Sequence, residues 1–400
     1  MEIAIQKEEF LKKIYPFLTL IDKNTANKDL STNNHNISDQ NILIKSSKEN
    51  GNINIIGSNS KKEIKIVTVM DAEIKKDGII AVNPHLLSQI INEVSNNEQN
   101  ITLTKKDKKL NIVNQKEQIQ IICTKEFNIS DFPKATKLLL SIRCDLLLEA
   151  LNNGINFTEL DNTLSILNNL YIWGKDNILY FICSSRTSIS LFSINGIEFN
   201  SEDNVDFDIL LGKDITNFLY MLCAKNPKLV LDIYKTSDNK LAFLIGDYYI
   251  LSGSIHGKYP NILPLFDKDN LYKVSLCKKN IKEILKKIMI LANRNPETVE
   301  FQFKNNKLFI LFENKTNNYS RELDIELTYL RSNSVENESV DNIIRFNYLK
   351  LYNILSSLDD NEDFFDLCWL DSANPIQVSL SHKKIDNFTI NKKHIIIPSR

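Results

Sequence analysis

Glycine is scarce, 10 in 400 residues, against an average near roughly 7%. That shortage weighs against the glycine-rich loops that cradle phosphates. Six cysteines (Cys123, Cys144, Cys183, Cys223, Cys277 and Cys368) are scattered, with no C-x-x-C pair. This speaks against a zinc site and for a reduced, cytosolic chain. No run of 18 or more apolar residues is present, and the N-terminus has no signal-peptide pattern, so no membrane partner is expected. An excess of one charge is missing too: 49 Lys plus Arg stand against 50 Asp plus Glu, a net charge of −1. Any contact with nucleic acid must therefore come from where the charges are placed. His35, His85, His256, His382 and His394 have no carboxylate or cysteine at metal or triad spacing. Ser58–Lys61 fits S-x-x-K by chance, Asp359-Asp360 reads as a solvated turn, and Cys183 and Cys277 have no base to activate them. Neither an enzyme nor a cofactor or metal is expected.

What is present is a repeated unit. Tyr272–Asn295 is its clearest copy. Tyr272, Val274 and Leu276 alternate with Lys273, Ser275 and Cys277, which is strand periodicity. Ile281, Ile284, Leu285, Ile288 and Ala292 then form one apolar stripe of a helix, with Lys278, Lys279, Lys282 and Lys286 on the opposite arc. Five further copies open at Met1 (MEIAIQKEEFLKKIYPFL), Gly78 (GIIAVNPHLLSQIINEV), Lys137 (KLLLSIRCDLLLEALNNGINF), Phe207 (FDILLGKDITNFLYMLCAK) and Asn342 (NIIRFNYLKLYNILSSLDD). A repeated unit that cannot bury its own face implies an array or a symmetric multi-domain body.

The copies pair into three domains, 1–134, 135–268 and 269–400. An apolar residue followed by proline closes each: Phe132-Pro133, Tyr259-Pro260 and Ile397-Pro398. Proline cannot donate to a ladder and sends the chain out of the sheet. Strands are expected between the helices, among them Leu167–Trp173, Gln118–Thr124 and Tyr248–His256. Asn83-Pro84 is expected to start a helix, with Asn as cap and Pro in the first turn. The polar stretches Asp22–Gln40 and Asn200–Asn204 read as a loop and a link. The fold class is α+β: three similar domains, each a doubled strand–helix–strands unit.

In this order and spacing the chain resembles the bacterial DNA polymerase III beta subunit family, the sliding clamps, as a divergent member. MEIAIQKEEFLKKI resembles the family's N-terminus, TLSILNNLYI (163–172) an internal strand, IGDYYILSGSIHGKYPNILP (245–264) its G-[RK]-[FY]-P exit, and LCKKNIKEILKKIMILANRN (276–295) the opening helix of its third domain. The resemblance implies a head-to-tail homodimeric ring, helices on the inner wall and sheets outside. Such a processivity factor encircles double-stranded DNA without base readout in the bacterial cytoplasm, at the nucleoid. It implies DNA-facing lysines at Lys12, Lys13, Lys278, Lys279, Lys282, Lys286 and Lys350. It also implies a cleft for short peptide motifs of DNA polymerase and clamp-loader subunits, at Leu167, Ser184, Arg186, Thr187, Ile189, Pro260, Ile395, Ile397 and Pro398. Ile290, on the lysine side of its helix, and Leu291 beside it match the family's dimer contact, with the partner edge near Gln120–Cys123. Two departures touch the cleft. Ser184-Ser185-Arg186-Thr187-Ser188-Ile189 stands where the family has T-D-G-H-R-L, and the tail ends Ile397-Pro398-Ser399-Arg400 where the family has M-P-[MV]-R and further residues. These departures also allow a second reading: a clamp-fold interaction or regulatory protein, a paralogue or mobile-element copy, that no longer encircles DNA.

Overall fold

The computed structural model describes residues 1–21, 41–59, 63–94, 100–114, 117–124, 126–127, 131–155, 166–185, 187–197, 207–253, 255, 257–267, 269–330, 342–357, 363–380 and 383–399. Asp22–Gln40, Lys61, Arg186, Asn200–Asn204, Asp359-Asp360, His35, His256 and His382 lie outside the described residues.

The first third contributes β1 (Glu2–Gln6), α1 (Lys7–Leu20), β2 (Ile42–Ser47), β3 (Asn52–Ser58), β4 (Ile64–Asp71), β5 (Glu73–Lys76), β6 (Gly78–Val82), α2 (Pro84–Glu93), β7 (Asn100–Lys106), β8 (Lys109–Val113) and β9 (Gln118–Ile122). The second contributes β10 (Ala135–Arg143), α3 (Cys144–Ile155), β11 (Leu170–Lys175), β12 (Ile178–Ser184), β13 (Ser188–Asn195), β14 (Phe207–Leu211), α4 (Lys213–Lys225), β15 (Val230–Thr236), β16 (Leu241–Ile245) and β17 (Tyr248–Ser252). The third contributes β18 (Tyr272–Cys277), α5 (Lys278–Leu291), β19 (Thr298–Lys304), β20 (Lys307–Glu313), β21 (Asn318–Asp324), β22 (Leu327–Tyr329), β23 (Asn342–Asn347), α6 (Tyr348–Ser356), β24 (Phe364–Trp369), β25 (Ile376–Ser379), β26 (Lys383–Ile385) and β27 (Phe388–Ile396).

Each helix follows a strand directly, as the repeat predicts. The α5 stripe is buried as expected: Ile281, Ile284, Leu285, Ile288 and Ala292 are all at most 5% exposed. Asn83 caps α2, its side chain accepting from the Leu86 N–H at 3.0 Å, and Asn347 caps α6 by accepting from Leu349 at 2.9 Å. Three of the strand-to-helix corners share one device. The first helical N–H has no partner within its helix, and a neighbouring chain segment supplies one. Cys144 donates to the Leu229 carbonyl at 2.9 Å, Lys278 to Asp363 at 2.8 Å and Tyr348 to Glu297 at 3.3 Å. The three strands named from the sequence differ in their bounds, the one from Gln118 ending at Ile122. Ile166–Asn168 forms a 3-10 turn, so the strand there starts at Leu170, and Tyr248 runs only to Ser252.

The described residues form two compact units, Met1–Asp145 with Phe218–Ser254, and Leu146–Asn217 with Ile255–Arg400. The first unit holds a five-stranded sheet, β5-β1-β7-β8-β9, and an eight-stranded sheet, β10-β15-β16-β17-β4-β3-β2-β6. The second holds a ten-stranded sheet, β14-β11-β12-β13-β27-β25-β24-β18-β22 with β26 beside β27, and a four-stranded sheet, β21-β20-β19-β23. The three sequence segments thus share sheets. Ile250 of β17 lies opposite Ile66 of β4, and Ile189 of β13 opposite Ile395 of β27. α1 packs on α2 in the first unit, and α5 on α6 in the second. Among the described residues no helix is long and apolar enough to cross a membrane.

The face of β27 that meets α3 and α6 carries polar groups. Lys392 is 3% and His394 1% exposed, with the Lys392 ammonium 3.7 Å from the Glu149 carboxylate on α3. Burial, with Lys392 adding to it, holds the His394 imidazole down at about 3. Unfolding frees the ring to titrate near the ordinary value of about 6.5. The unfolded chain then binds the extra proton between those values, so stability falls as pH drops below about 6.5, by at most ~1.4 kcal/mol per pH unit. Urea unfolding of the wild type and of His394→Met across pH 4–7 tests this. The wild type is expected to lose stability more steeply on acidification, and parallel curves would exclude the effect.

Candidate nucleic-acid interface and partner cleft

The lysines on the helices differ in exposure and in the partners they hold. On α5, Lys279 and Lys286 are exposed and Lys282 is half-buried. Their spacing of three and four residues puts the three ammonium groups on one arc. Lys287, absent from the expected set, is exposed beside them. Lys350 on α6 is half-buried and Lys12 on α1 exposed. Two of the expected cations are placed differently from the others. Lys278 is only 6% exposed, because it occupies the strand-to-helix corner, where the first helical residue turns inward. Lys7, Cys144 and Tyr348, at the same place in their own units, are 8%, 0% and 0% exposed. A helical wheel places Lys278 on the polar arc but carries no term for the corner. Lys7 shows what such a lysine does instead: its ammonium reaches the Asn92 and Val94 carbonyls at 3.1 and 2.6 Å, at the end of α2 where carbonyls lack helical partners. Lys13 is the second. It forms an ion pair with Asp247, its ammonium 5.7 Å from the centre of the Tyr248 ring, and Tyr248 donates to the Lys12 carbonyl at 3.2 Å. Its charge is largely cancelled locally.

The α5 row continues past its lysines. Ile290, four residues beyond Lys286, is 78% exposed, while Leu291 is half-buried with its carbonyl accepting from Asn317 at 3.0 Å. Ile122, at the end of edge strand β9, is 72% exposed.

The cleft residues fall around the β13–β27 junction. Ile189 and Ile395 lie opposite each other in a buried cluster with Tyr259, Ile262 and Phe266, and Leu167 packs against it. The Ser184 hydroxyl bonds the Tyr259 hydroxyl at 2.9 Å and donates to the Leu167 carbonyl at 3.4 Å. Ile397 donates its N–H to the Thr187 carbonyl at 2.9 Å. Ser184, Ile189 and Ile395, at 3%, 7% and 1% exposure, are therefore a sealed floor. Thr187, Pro260 and Ile397 are exposed, and Pro398 is half-buried. Tyr259 makes the seal. It stacks on Tyr171 with ring centres 4.7 Å apart and planes 3° from parallel, and burial pushes its hydroxyl pKa well up. Periodicity gives no signal for Tyr259, because it sits in a loop. The changed Ser184–Ile189 segment is held by its own serine: the Ser185 hydroxyl accepts from the Thr187 and Ser188 N–H groups at 3.3 and 3.1 Å.

Six strand–helix corners and sheets shared across sequence segments define the architecture. No protein-family model matches the chain. The beta sliding clamp of Mycoplasma genitalium is 24% identical over 417 residues, covering 95% of this chain and 99% of that protein. Among solved structures, the DNA polymerase III beta chain of Streptococcus pneumoniae superposes with a TM-score of 0.83 at 15% identity, covering 100% of this chain and 99% of that one. The sliding clamp of Bacillus subtilis gives 0.81 at 13% identity, with the same coverage. The chain is thus similar to bacterial beta sliding clamps, and the similarity runs end to end.

Removing the Tyr259 hydroxyl tests the seal. Tyr259→Phe leaves the Ser184 hydroxyl one partner short in a buried place and is expected to destabilise by about 1 kcal/mol. The urea midpoint reads this, and an unchanged midpoint would show that the bond contributes nothing net.

Proposed function

We propose that the chain is a DNA sliding clamp: a non-catalytic processivity factor of replication that closes around duplex DNA as a homodimeric ring and tethers a polymerase. The observation that carries this reading is the sixfold strand–helix unit, in order along the whole chain. In this reading Lys279, Lys282, Lys286 and Lys287, with Lys12 and Lys350, meet the phosphate backbone. Such contacts read no sequence and weaken with salt. Ring closure supplies the residence time, so a net charge of −1 is no obstacle. The two copies meet where exposed Ile290 and Leu291 of one copy face the β9 edge with Ile122 of the other, a heterologous contact that closes. Thr187, Pro260, Ile397 and Pro398, with Arg186, form the rim that takes short peptide motifs of polymerase and clamp-loader subunits. The place of work is the bacterial cytoplasm, at the nucleoid.

A second reading, a clamp-fold interaction protein that does not encircle DNA, draws on the loss of Lys13 and Lys278 as free cations. Two experiments separate the readings. Lys279→Glu, Lys282→Glu and Lys286→Glu together should flatten the salt dependence of binding to a short duplex by about 3 in log–log slope, at roughly 0.9 per phosphate contact. An unchanged slope favours the second reading. Sedimentation of the wild type should give twice the 46.1-kDa chain mass, and Ile290→Asp should give monomers. A wild-type monomer would overturn the self-sufficient ring.

A further inference from the structure

The sheet face that carries the cleft does not stop at the cluster. Ser184 and Ile182 of β12 continue on the same face to Tyr180 and Ile178, and Ile189 of β13 continues to Leu191, Ser193 and Asn195. Beyond the cluster this face opens into a cavity of about 310 Å³. Leu191 and Phe266 belong to the cluster under the cleft, Leu263 packs against it, and all three also line the cavity. The two places therefore share walls, with the Leu263–Leu265 turn between them.

The lining is mixed. Tyr180, Leu191, Leu263 and Phe266 give it one apolar side, Ser193, Asn195 and Asn391 add polar groups, and the Asp267 carboxylate and Lys393 ammonium stand at it. Asp267 is exposed and Lys393 half-buried, so both charges sit toward solvent while the apolar groups lie deeper. An apolar side with a polar mouth fits an aromatic side chain that ends in a donor, such as an indole N–H or a phenol O–H. The volume lies at the lower end of the roughly 300–1,000 Å³ seen for ligand sites. That is room for one large side chain and the backbone that carries it.

The geometry points to a second anchor site for the partner peptide: the cavity takes a Trp or Tyr side chain from residues flanking the motif held at the cleft, its polar tip donating to Asp267. This rests on the reading of the cleft as a peptide site. Six residues separate Ser184 from Ile178 along β12, about 20 Å at ~3.3 Å per residue. An extended peptide therefore needs about six residues between its cleft anchors and the second aromatic.

The test uses the full chain and three synthetic peptides: one with an aliphatic and an aromatic anchor, and two that add six residues ending in Trp at its N- or C-terminal end. One of the extended peptides is expected to bind about tenfold tighter by fluorescence anisotropy. Asn195→Trp, which fills the cavity from the end of β13, should erase that gain and leave the short peptide unchanged. Asp267→Ala, at an exposed position, should reduce the gain severalfold and serves if the first variant folds poorly. Equal binding of all three peptides to the wild type overturns the second anchor while keeping the cleft. Binding of none overturns the cleft reading itself, and this inference with it.

Discussion

An amphipathic helix of three or four turns has one apolar stripe and no means of covering it alone. In this chain the stripe of α5 is covered by packing on α6 and on its own strand, and α1 does the same with α2. Three of the strand-to-helix corners are held by backbone donors aimed at a neighbouring segment, as from Cys144 to Leu229 and from Lys278 to Asp363. Each of these units is thus completed by a chain segment remote in sequence. That requirement explains why sheets run across the sequence thirds and why a single strand–helix unit has no separate existence.

The same requirement decides which charges stay free. With acids and bases nearly equal in number, a cation acts at distance only where nothing nearby cancels it. Lys7 and Lys278 lose their freedom at the corners, and Lys13 loses it to an acid 234 residues away in sequence. Lys279, Lys282 and Lys286 keep their charge toward solvent because they lie on the arc of α5 opposite its buried stripe. The exposed lysines of this helix begin at its second residue, one past the corner.

Much of the fold was legible because it depends on periodicity. Strand alternation and helix stripes located all six strand–helix corners, and Asn83-Pro84 marked its helix start. What escaped depends on partners distant in sequence. The wheel that set Lys278 on the polar arc could not register the Asp363 segment that covers it. Nothing near Lys13 names Asp247. The sequence resemblance put Ile189 and Ile395 at a cleft, but that they are sealed was not legible, because Tyr259, which shares their buried cluster, sits in a loop with no period. The strand expected from Leu167 begins three residues later, since a 3-10 turn places Leu167 against the cluster and leaves its carbonyl to Ser184.

A sealed floor changes what the cleft can do. Apolar anchors gain most of their energy from full desolvation in a deep pocket. Here the floor is already desolvated, with Tyr259 stacked on Tyr171, so in the proposed reading a partner would meet Thr187, Pro260 and Ile397, which are exposed around it. The Ser185 hydroxyl holds the adjoining turn by two backbone N–H groups, which leaves the rim little room to yield. A stiff rim over a sealed floor gains affinity by extending contact along the sheet face more readily than by deepening one anchor. The open space on that face lies past the Leu263–Leu265 turn, where Leu191 and Phe266 leave the cluster and line the cavity.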